Sequence, residues 1–394
     1  MTQRLDHAPP KVPLLQDPRF RAIAYQVVLC IVIGFLVYAA IDNAATNLAR
    51  ARIATGFDFL NHTAGFDISQ TLIHYAADVS TYGRAFLVGL LNTLLVAILG
   101  IILATILGFI IGIARLSPNF LVSRLATGYV ELIRNIPLLL QLLFWYNAVL
   151  KALPTVHESV TLPGSVFLNN RGLFFPRPDV VGGAGVGYAL LAGLLAAAVF
   201  LILVRPRVPR LSGTGIAVAV AAALVLVPPL LTVVVSDVHF IFERPELGRF
   251  SLRGGIEILP EFVALLAGLV IYTASFIAEA VRAGLASVPE GQTEAALALG
   301  LRRGAALKLV IIPQAMRVII PPLTNQYLNL TKNSSLAVAI GYPDLVQVFT
   351  GTVLNNTGQA IEVVSITMAV YLVLSLATSL LMNWYNARRA LVER

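Results

Sequence analysis

Polar side chains occur inside long apolar stretches of this sequence, and their spacing predicts that several of them share a helical face. The densest group contains three asparagines at intervals of four residues, one lysine and two serines: Asn325, Asn329, Asn333, Lys332, Ser334 and Ser335. Residues four apart lie on one face of a helix, and we predict that the helix unwinds near the two serines. Amides, hydroxyls and an ammonium group in this arrangement could line a path for a zwitterion, with Lys332 or Arg134 contacting its carboxylate.

A second group of polar residues lies in two other apolar stretches. Arg134 and Gln141 are seven residues apart, which predicts a shared helical face, and Pro137 between them frees a backbone carbonyl. Glu279 interrupts a third stretch. An ionisable group at the centre of a bilayer costs at least ~2.5 kcal/mol, so Arg134 and Glu279 each need a partner or a water-filled path. The alternative for all these residues is that they hold neighbouring helices together.

The composition identifies a lipid bilayer as the medium of the chain. The chain has 394 residues, 58% hydrophobic and 12% charged, with a mean hydropathy of +0.83. Soluble domains contain about 25% charged residues, so this chain has too little polar surface for water. Its long, non-alternating apolar runs favour helices over a closed barrel. The predicted fold class is therefore an all-α polytopic membrane protein.

The apolar runs predict about eight transmembrane helices: residues 22–41, 85–114, 125–150, 186–204, 214–235, 261–283, 317–340 and 359–383. A cleaved signal peptide is the alternative for the first run. A short interfacial helix is also predicted over Phe66–Ala77. Most of the 28 Lys and Arg residues fall in the tails and loops on the same side of the predicted spans as the two termini. Cytoplasmic regions of membrane proteins are enriched in Lys and Arg, so both termini are predicted to lie in the cytoplasm. The net charge of +8 is assigned to these loops rather than to nucleic-acid binding.

The segment from Ser287 to Pro313 lies between two apolar runs and is too charged and too broken to cross a bilayer. Ser287 and Glu290 have the spacing of a capping box, which predicts a helix over residues 288–299 that ends at Gly300. The charge distribution places this segment in the cytoplasm. Its basic residues also fit an amphipathic helix on lipid headgroups, and docking against another protein is the other interpretation.

The same segment resembles the E-A-A loop of ATP-binding-cassette (ABC) importer permeases. The matching residues are spaced E-A-A-x3-G-x9-V-x-I-P: Glu294, Ala295, Ala296, Gly300, Val310, Ile312 and Pro313. Four flanking stretches also resemble permeases of the polar amino-acid (His/Glu/Gln/Arg/opine) family: residues 89–94, 129–141, 272–284 and 321–336. The extra first helix, the inserted helix pair and the length are similar to the longer permease of the general L-amino-acid transporter.

The resemblance implies a type I permease core of five helices plus three peripheral helices. It implies that Glu294, Ala295, Ala296, Gly300 and Pro313 form a coupling loop that docks on an ATPase. It implies as partners a second homologous permease, giving a heterodimer, two ATPase subunits and a periplasmic amino-acid-binding protein. The phosphate-loop motif G-x4-G-K-[ST] is absent from the sequence, so we expect no cofactor in this chain and place ATP and Mg²⁺ on the partner ATPase.

These inferences predict the organisation of the chain. The parts are a cytoplasmic tail (1–21), a first helix with a periplasmic segment (22–83), the first part of the core (84–150), an insertion (151–259), and the second part of the core (260–390), which holds the coupling loop (287–313). The expected location is the bacterial inner membrane. Where many relatives of the resembling family carry an acidic residue after the lysine, this chain has Asn333, and the loss of that negative charge would tolerate acidic as well as neutral L-amino acids. An ion-coupled secondary transporter is the alternative function, and a membrane enzyme is disfavoured because no catalytic motif is found.

Overall fold

The computed structural model describes residues 18–50, 55–181, 184–201, 214–235, 239–248 and 252–389. Most of the predicted cytoplasmic tail and the basic stretch 205–210 lie outside these residues. The helices are α1 (Pro18–Arg50), α2 (Tyr82–Ala114), α3 (Phe120–Asn135), α4 (Leu138–Leu143), α5 (Ala184–Val199), α6 (Thr214–Val235), α7 (Pro260–Ala286), α8 (Glu290–Ala298), α9 (Arg303–Ala306), α10 (Ile312–Asn333), α11 (Leu354–Thr357) and α12 (Ala360–Arg389).

Several helical segments are tighter or wider than an α-helix. Short 3₁₀ helices cover Asp58–Asn61, Val156–Glu158 and Ser334–Ile340. π-Helical turns cover Phe144–Leu150, Leu307–Ile311 and Val346–Val353. Such departures from α geometry are frequent at functional sites, and two of the six directly flank α10.

The predicted class, an all-α polytopic membrane protein, is confirmed. Six helices of the described chain are long and apolar enough to cross a membrane, and α3 with its continuation to Leu150 makes a seventh if this bent pair is one span. The predicted span 186–204 corresponds to a shorter apolar helix, Gly185–Val199. Each of the eight predicted spans therefore falls on helix, but one of them is short and another is broken.

The chain divides into two compact units, and the first comprises residues 1–90 and 345–373. Its core is aromatic: the ring of buried Phe59 lies 6.2 Å from that of Tyr82 and 6.3 Å from that of Phe349. Burial is also the main reason that the pKa of Tyr75 rises from 10.0 to about 12, with smaller contributions from the nearby Asp67 and from Tyr82.

The predicted interfacial helix over Phe66–Ala77, in this first unit, is wrong, because the segment is a loop without helical turns. Its ends are tied together, since the backbone N–H of Gly65 donates to the carbonyl of Ala77 (3.1 Å). The Tyr75 hydroxyl donates to the carbonyl of Phe66 (2.8 Å). These long-range bonds satisfy backbone groups that a helix would have paired locally.

The second unit comprises residues 91–344 and 374–394, and α7 is at its centre. α7 packs against α3, α4 and α10. Its N-terminal half joins a cluster with buried Leu142, Leu265 and Tyr342, and its C-terminal half joins another with Ile277 and Ile319. Glycine permits close approach of neighbouring helices: a Cβ at Gly112 of α2 would lie 2.7 Å from Cβ of Val281.

The insertion contains the predicted pair of helices, which form a hairpin, and small sheets that were not predicted from the sequence. α5 packs on α6. The strands are β1 (Val160–Leu162), β2 (Val166–Asn169), β3 (Gly172–Phe175), β4 (Arg177–Val181), β5 (His239–Glu243), β6 (Glu246–Leu247), β7 (Leu252–Arg253) and β8 (Ile256–Ile258). All pairs are antiparallel, in the orders β1-β2-β3-β8, β4-β5 and β6-β7. The pairing β3–β8 therefore joins the two ends of the insertion.

Candidate functional site

The segment 287–313 folds as two short helices between α7 and α10, as the sequence predicted. α8 spans Glu290–Ala298 and α9 spans Arg303–Ala306, followed by a π-helical turn. The predicted capping box is wrong: Ser287 ends α7, and its hydroxyl donates to the carbonyl of Gly284 (2.7 Å). Pro289 occupies the N-cap of α8 instead, because α7 continues further than the apolar pattern indicated.

Gly300 ends α8 through its left-handed backbone. Its φ is +78°, its N–H donates to the carbonyl of Leu297 (2.9 Å), and the N–H of Leu301 donates to that of Ala296 (3.2 Å). This pair of bonds is a Schellman motif, which favours glycine because other residues are strained at positive φ. The turn therefore fixes the angle at which the chain leaves α8.

Four of the five predicted coupling residues are on the surface of the segment. Glu294, Ala295, Gly300 and Pro313 are exposed, whereas Ala296 is 4% exposed and packs inside the segment. Sequence reasoning missed Leu299, whose side chain is 83% exposed beside Gly300. Leu297, Leu307 and Leu309 of the same segment are also exposed, at 39%, 47% and 63%.

The polar group on α10 is partly aligned on one face. Asn325, Asn329 and Lys332 are exposed, and Asn333 is half-buried at the end of α10. The predicted unwinding is wrong, because the chain continues from Ser334 to Ile340 as a 3₁₀ helix, which is wound more tightly than an α-helix. The two serine hydroxyls donate to backbone carbonyls one turn earlier, from buried Ser334 to Thr331 (2.8 Å) and from half-buried Ser335 to Lys332 (2.7 Å). Among the predicted path residues, Ser334 therefore faces the protein interior.

Arg134 and Gln141 do not share a helical face, and that prediction is wrong. The chain bends by 104° between α3 and α4, because Pro137 cannot continue the α3 hydrogen-bond ladder. The buried Gln141 amide donates to the carbonyls of Ile133 and Ile136, each at 2.9 Å. Gln141 therefore satisfies carbonyls at the break, which is the structural role left open above.

Glu279 is part of an ion-pair cluster. Its carboxylate accepts hydrogen bonds from the guanidinium of Arg115, just after α2, and from Nη2 of Arg282 (2.6 Å). The Arg115 side chain is only 11% exposed. The pairing of Arg115 with Glu279 was not predicted, because 164 residues separate the two in the sequence. The i,i+3 spacing of Glu279 and Arg282 was the only local signal of a pair.

Six or seven apolar helices and a charged helical segment too short to span identify the described chain as a multi-span membrane protein. The chain belongs to the family of binding-protein-dependent transport system inner membrane components, whose match covers residues 189–391. The predicted membership among ABC permeases is thereby confirmed, as is the prediction that the chain is a transporter component rather than an enzyme.

Curated relatives align over nearly the whole chain. The general L-amino acid transport system permease protein AapQ of Rhizobium johnstonii is 53% identical, over 96% of this chain and 95% of its own. The putative amino-acid ABC transporter permease protein YhdX of Escherichia coli is 49% identical, over 96% of each chain. The glutamate/glutamine/aspartate/asparagine transport system permease protein BztB of Rhodobacter capsulatus is 42% identical, over 97% of this chain and 96% of its own. These relatives give no support to an ion-coupled secondary transporter.

Proposed function

We propose that this chain is the permease subunit of an ABC importer that moves acidic, polar and neutral L-amino acids into the cytoplasm. The observation that carries the proposal is the 53% identity to a general L-amino-acid permease over 96% of the chain. A separate ATPase drives the transport through the segment 287–313, here called the coupling segment. ATP and Mg²⁺ bind to that ATPase.

The coupling segment is connected to the membrane helices in a way that supports this role. It joins α7 directly to α10, and these two helices pack closely where a Cβ at Gly284 would lie 2.3 Å from Cγ1 of Ile319. A displacement of the coupling segment is therefore transmitted to both helices together, since a close-packed interface resists deformation. Glu294, Ala295 and Leu299 form the exposed docking surface.

The exposed polar face of α10 supports a second permease subunit as a partner, and the family supports the other partners. Asn325, Asn329 and Lys332 are unfavourable against acyl chains, so we place this face on a path shared with a second, homologous permease subunit. A heterodimer with two ATPase subunits and a periplasmic binding protein completes the importer. Both termini lie in the cytoplasm, and the two loops of the insertion, 151–185 and 236–259, face the periplasm.

Reconstitution of the complex in proteoliposomes tests this function. Glu294→Lys and Gly300→Val are expected to insert normally and to uncouple ATP hydrolysis from amino-acid uptake. A residue with a Cβ at position 300 would be destabilised by about 1–2 kcal/mol, because the backbone there is left-handed. Gly304→Val is the matched control, because Gly304 lies in the same segment with open space around it and no positive φ.

Three outcomes would contradict the proposal. Uptake at the wild-type rate by both Glu294→Lys and Gly300→Val would refute the coupling role. Uptake by the isolated chain under an ion gradient, without the ATPase, would refute the ABC mechanism. A strict preference for L-arginine over L-glutamate and L-glutamine would refute the substrate range, which rests on Asn333.

A further inference from the structure

A charged pocket of about 390 Å³ lies between α3 and α7. Its polar and aromatic lining comes from the residue that follows α2, from the last turns of α3 and from the C-terminal half of α7: Arg115, Glu131, Arg134, Asn135, Phe276 and Glu279. α7 runs from this pocket directly into the coupling segment. The pocket therefore lies towards the same end of α7 as the coupling segment.

The charges in this pocket divide into a paired set and an unpaired set. Glu279 is bound by Arg115 and Arg282. Arg134 and Glu131 are three residues apart on α3, a spacing at which opposite charges commonly pair. They nevertheless form no ion pair with each other, and neither forms one with any other residue that the structure describes. The Arg134 guanidinium lies instead over the ring of Phe276, 4.9 Å from its centroid.

This arrangement favours a small molecule with one charge of each sign. A molecule with only a carboxylate would be attracted by Arg134 and repelled by Glu131. A molecule with only an ammonium group would be attracted by Glu131 and repelled by Arg134. Binding a zwitterion satisfies both groups, and the half-buried ring of Phe276, which also packs against Tyr272, offers an apolar contact for a side chain. The volume is at the small end of the range for ligand pockets, about 300–1,000 Å³.

We infer that this pocket binds a free α-amino acid at the cytoplasmic end of the permease. Arg134 binds the carboxylate and Glu131 binds the ammonium group. The site fills as imported amino acid accumulates in the cytoplasm, so it is a product site distinct from the polar face of α10. The inference rests on the proposed function, because it takes the amino acid from the transport reaction.

Thiol protection in the assembled complex tests the inference. The exposed Cys30 is replaced by serine, and Asn135→Cys places a reactive thiol at the pocket. In nanodiscs, without ATP or binding protein, L-glutamine is expected to slow maleimide labelling in a saturable manner. Propylamine and butyrate, which carry only one of the two charged groups, are expected to protect at least about 10-fold less well, as removal of a charged hydrogen-bond partner predicts.

Variants of the two charged residues locate the protection. Arg134→Gln or Glu131→Gln in the same background is expected to raise the half-protecting concentration of L-glutamine about 10-fold or more. Arg124→Gln is the matched control, because Arg124 also lies on α3 over an aromatic ring, that of Phe120 at 5.3 Å, but is not part of the pocket lining. It should leave protection unchanged.

The outcomes separate this inference from the proposed function. If the complex imports amino acids with ATP but L-glutamine does not protect the introduced thiol, the product site is refuted and the importer stands. Protection by propylamine or butyrate equal to that by L-glutamine also refutes the product site. So does a loss of L-glutamine protection in Arg124→Gln as large as that in Arg134→Gln or Glu131→Gln. If the complex imports no amino acid at all, the proposed function itself is refuted.

Discussion

The ion-pair cluster around Glu279 allows a quantitative prediction, because one carboxylate binds two arginines in different environments. The Arg115 side chain is 11% exposed, that of Glu279 is 29% exposed and that of Arg282 is 36% exposed. Both arginines donate hydrogen bonds to the carboxylate. The difference in exposure predicts that Glu279 is more strongly coupled to Arg115 than to Arg282.

The expected coupling energies follow from these exposures. Removing one partner of a fully buried pair costs about 3–5 kcal/mol, and the partial exposure of Glu279 reduces this to about 1–3 kcal/mol for Arg115, within the range of a hydrogen bond to a charged group. Arg282 resembles a surface pair, for which about 0.2–1 kcal/mol is usual. Salt should weaken the coupling to Arg282 more, since exposed pairs are screened.

Two double-mutant cycles measure these energies. Glu279→Gln is combined with Arg115→Gln in one cycle and with Arg282→Gln in the other, and the free energy of unfolding is measured in a denaturing detergent. The non-additive part of each cycle is the coupling energy. An Arg282 coupling equal to or larger than the Arg115 coupling would refute the reasoning from exposure, and so would an Arg115 coupling close to zero.

Two further predictions concern packing and pH. The free energy of unfolding of Gly112→Ala should be lower than that of Gly128→Ala by about 1–3 kcal/mol, the usual cost of overpacking. The reason is that a Cβ at Gly112 would lie 2.8 Å from the carbonyl oxygen of Ala278, whereas Gly128 has open space. Equal free energies of unfolding would contradict this. The raised pKa of Tyr75, about 12 against 10.0, means that the folded state favours the neutral phenol. That stabilisation is complete below pH 10 and is lost as the pH rises towards 12, so Tyr75→Phe should show a smaller loss of stability over this window, and an unchanged loss would contradict the assignment.

Much of the coupling segment could be predicted from sequence, because its signals are local. α8 ends at the glycine that the pattern indicated, and Gly300 has the positive φ that the turn requires. Ser287 was misassigned because a serine can equally end one helix or begin the next, and only the length of α7 distinguishes the two. Local spacing also failed at Pro137, where the seven-residue interval between Arg134 and Gln141 holds only for an unbroken helix.

Contacts between distant parts of the chain could not be predicted in this way. The pairing of Arg115 with Glu279 depends on how α2 and α7 meet, and no periodicity within either helix encodes it. The sheet of the insertion is similar, because β3 and β8 are separated by the α5–α6 hairpin. The strands are two to five residues long, too short for an alternating pattern to identify against the loops around them.

The exposed face of α10 argues physically that the chain does not act alone. Lys332 is exposed, and the described part of the chain offers its ammonium group no ion-pair partner. Placing a lysine at the centre of a bilayer costs about 2.5–3.5 kcal/mol or more, and Asn325 and Asn329 on the same face add to this cost. The three residues are therefore stable only against water or another protein. Because a single copy of the chain leaves this face open, a self-sufficient transporter is the less favourable interpretation, and a path completed by a second permease accounts for the same residues.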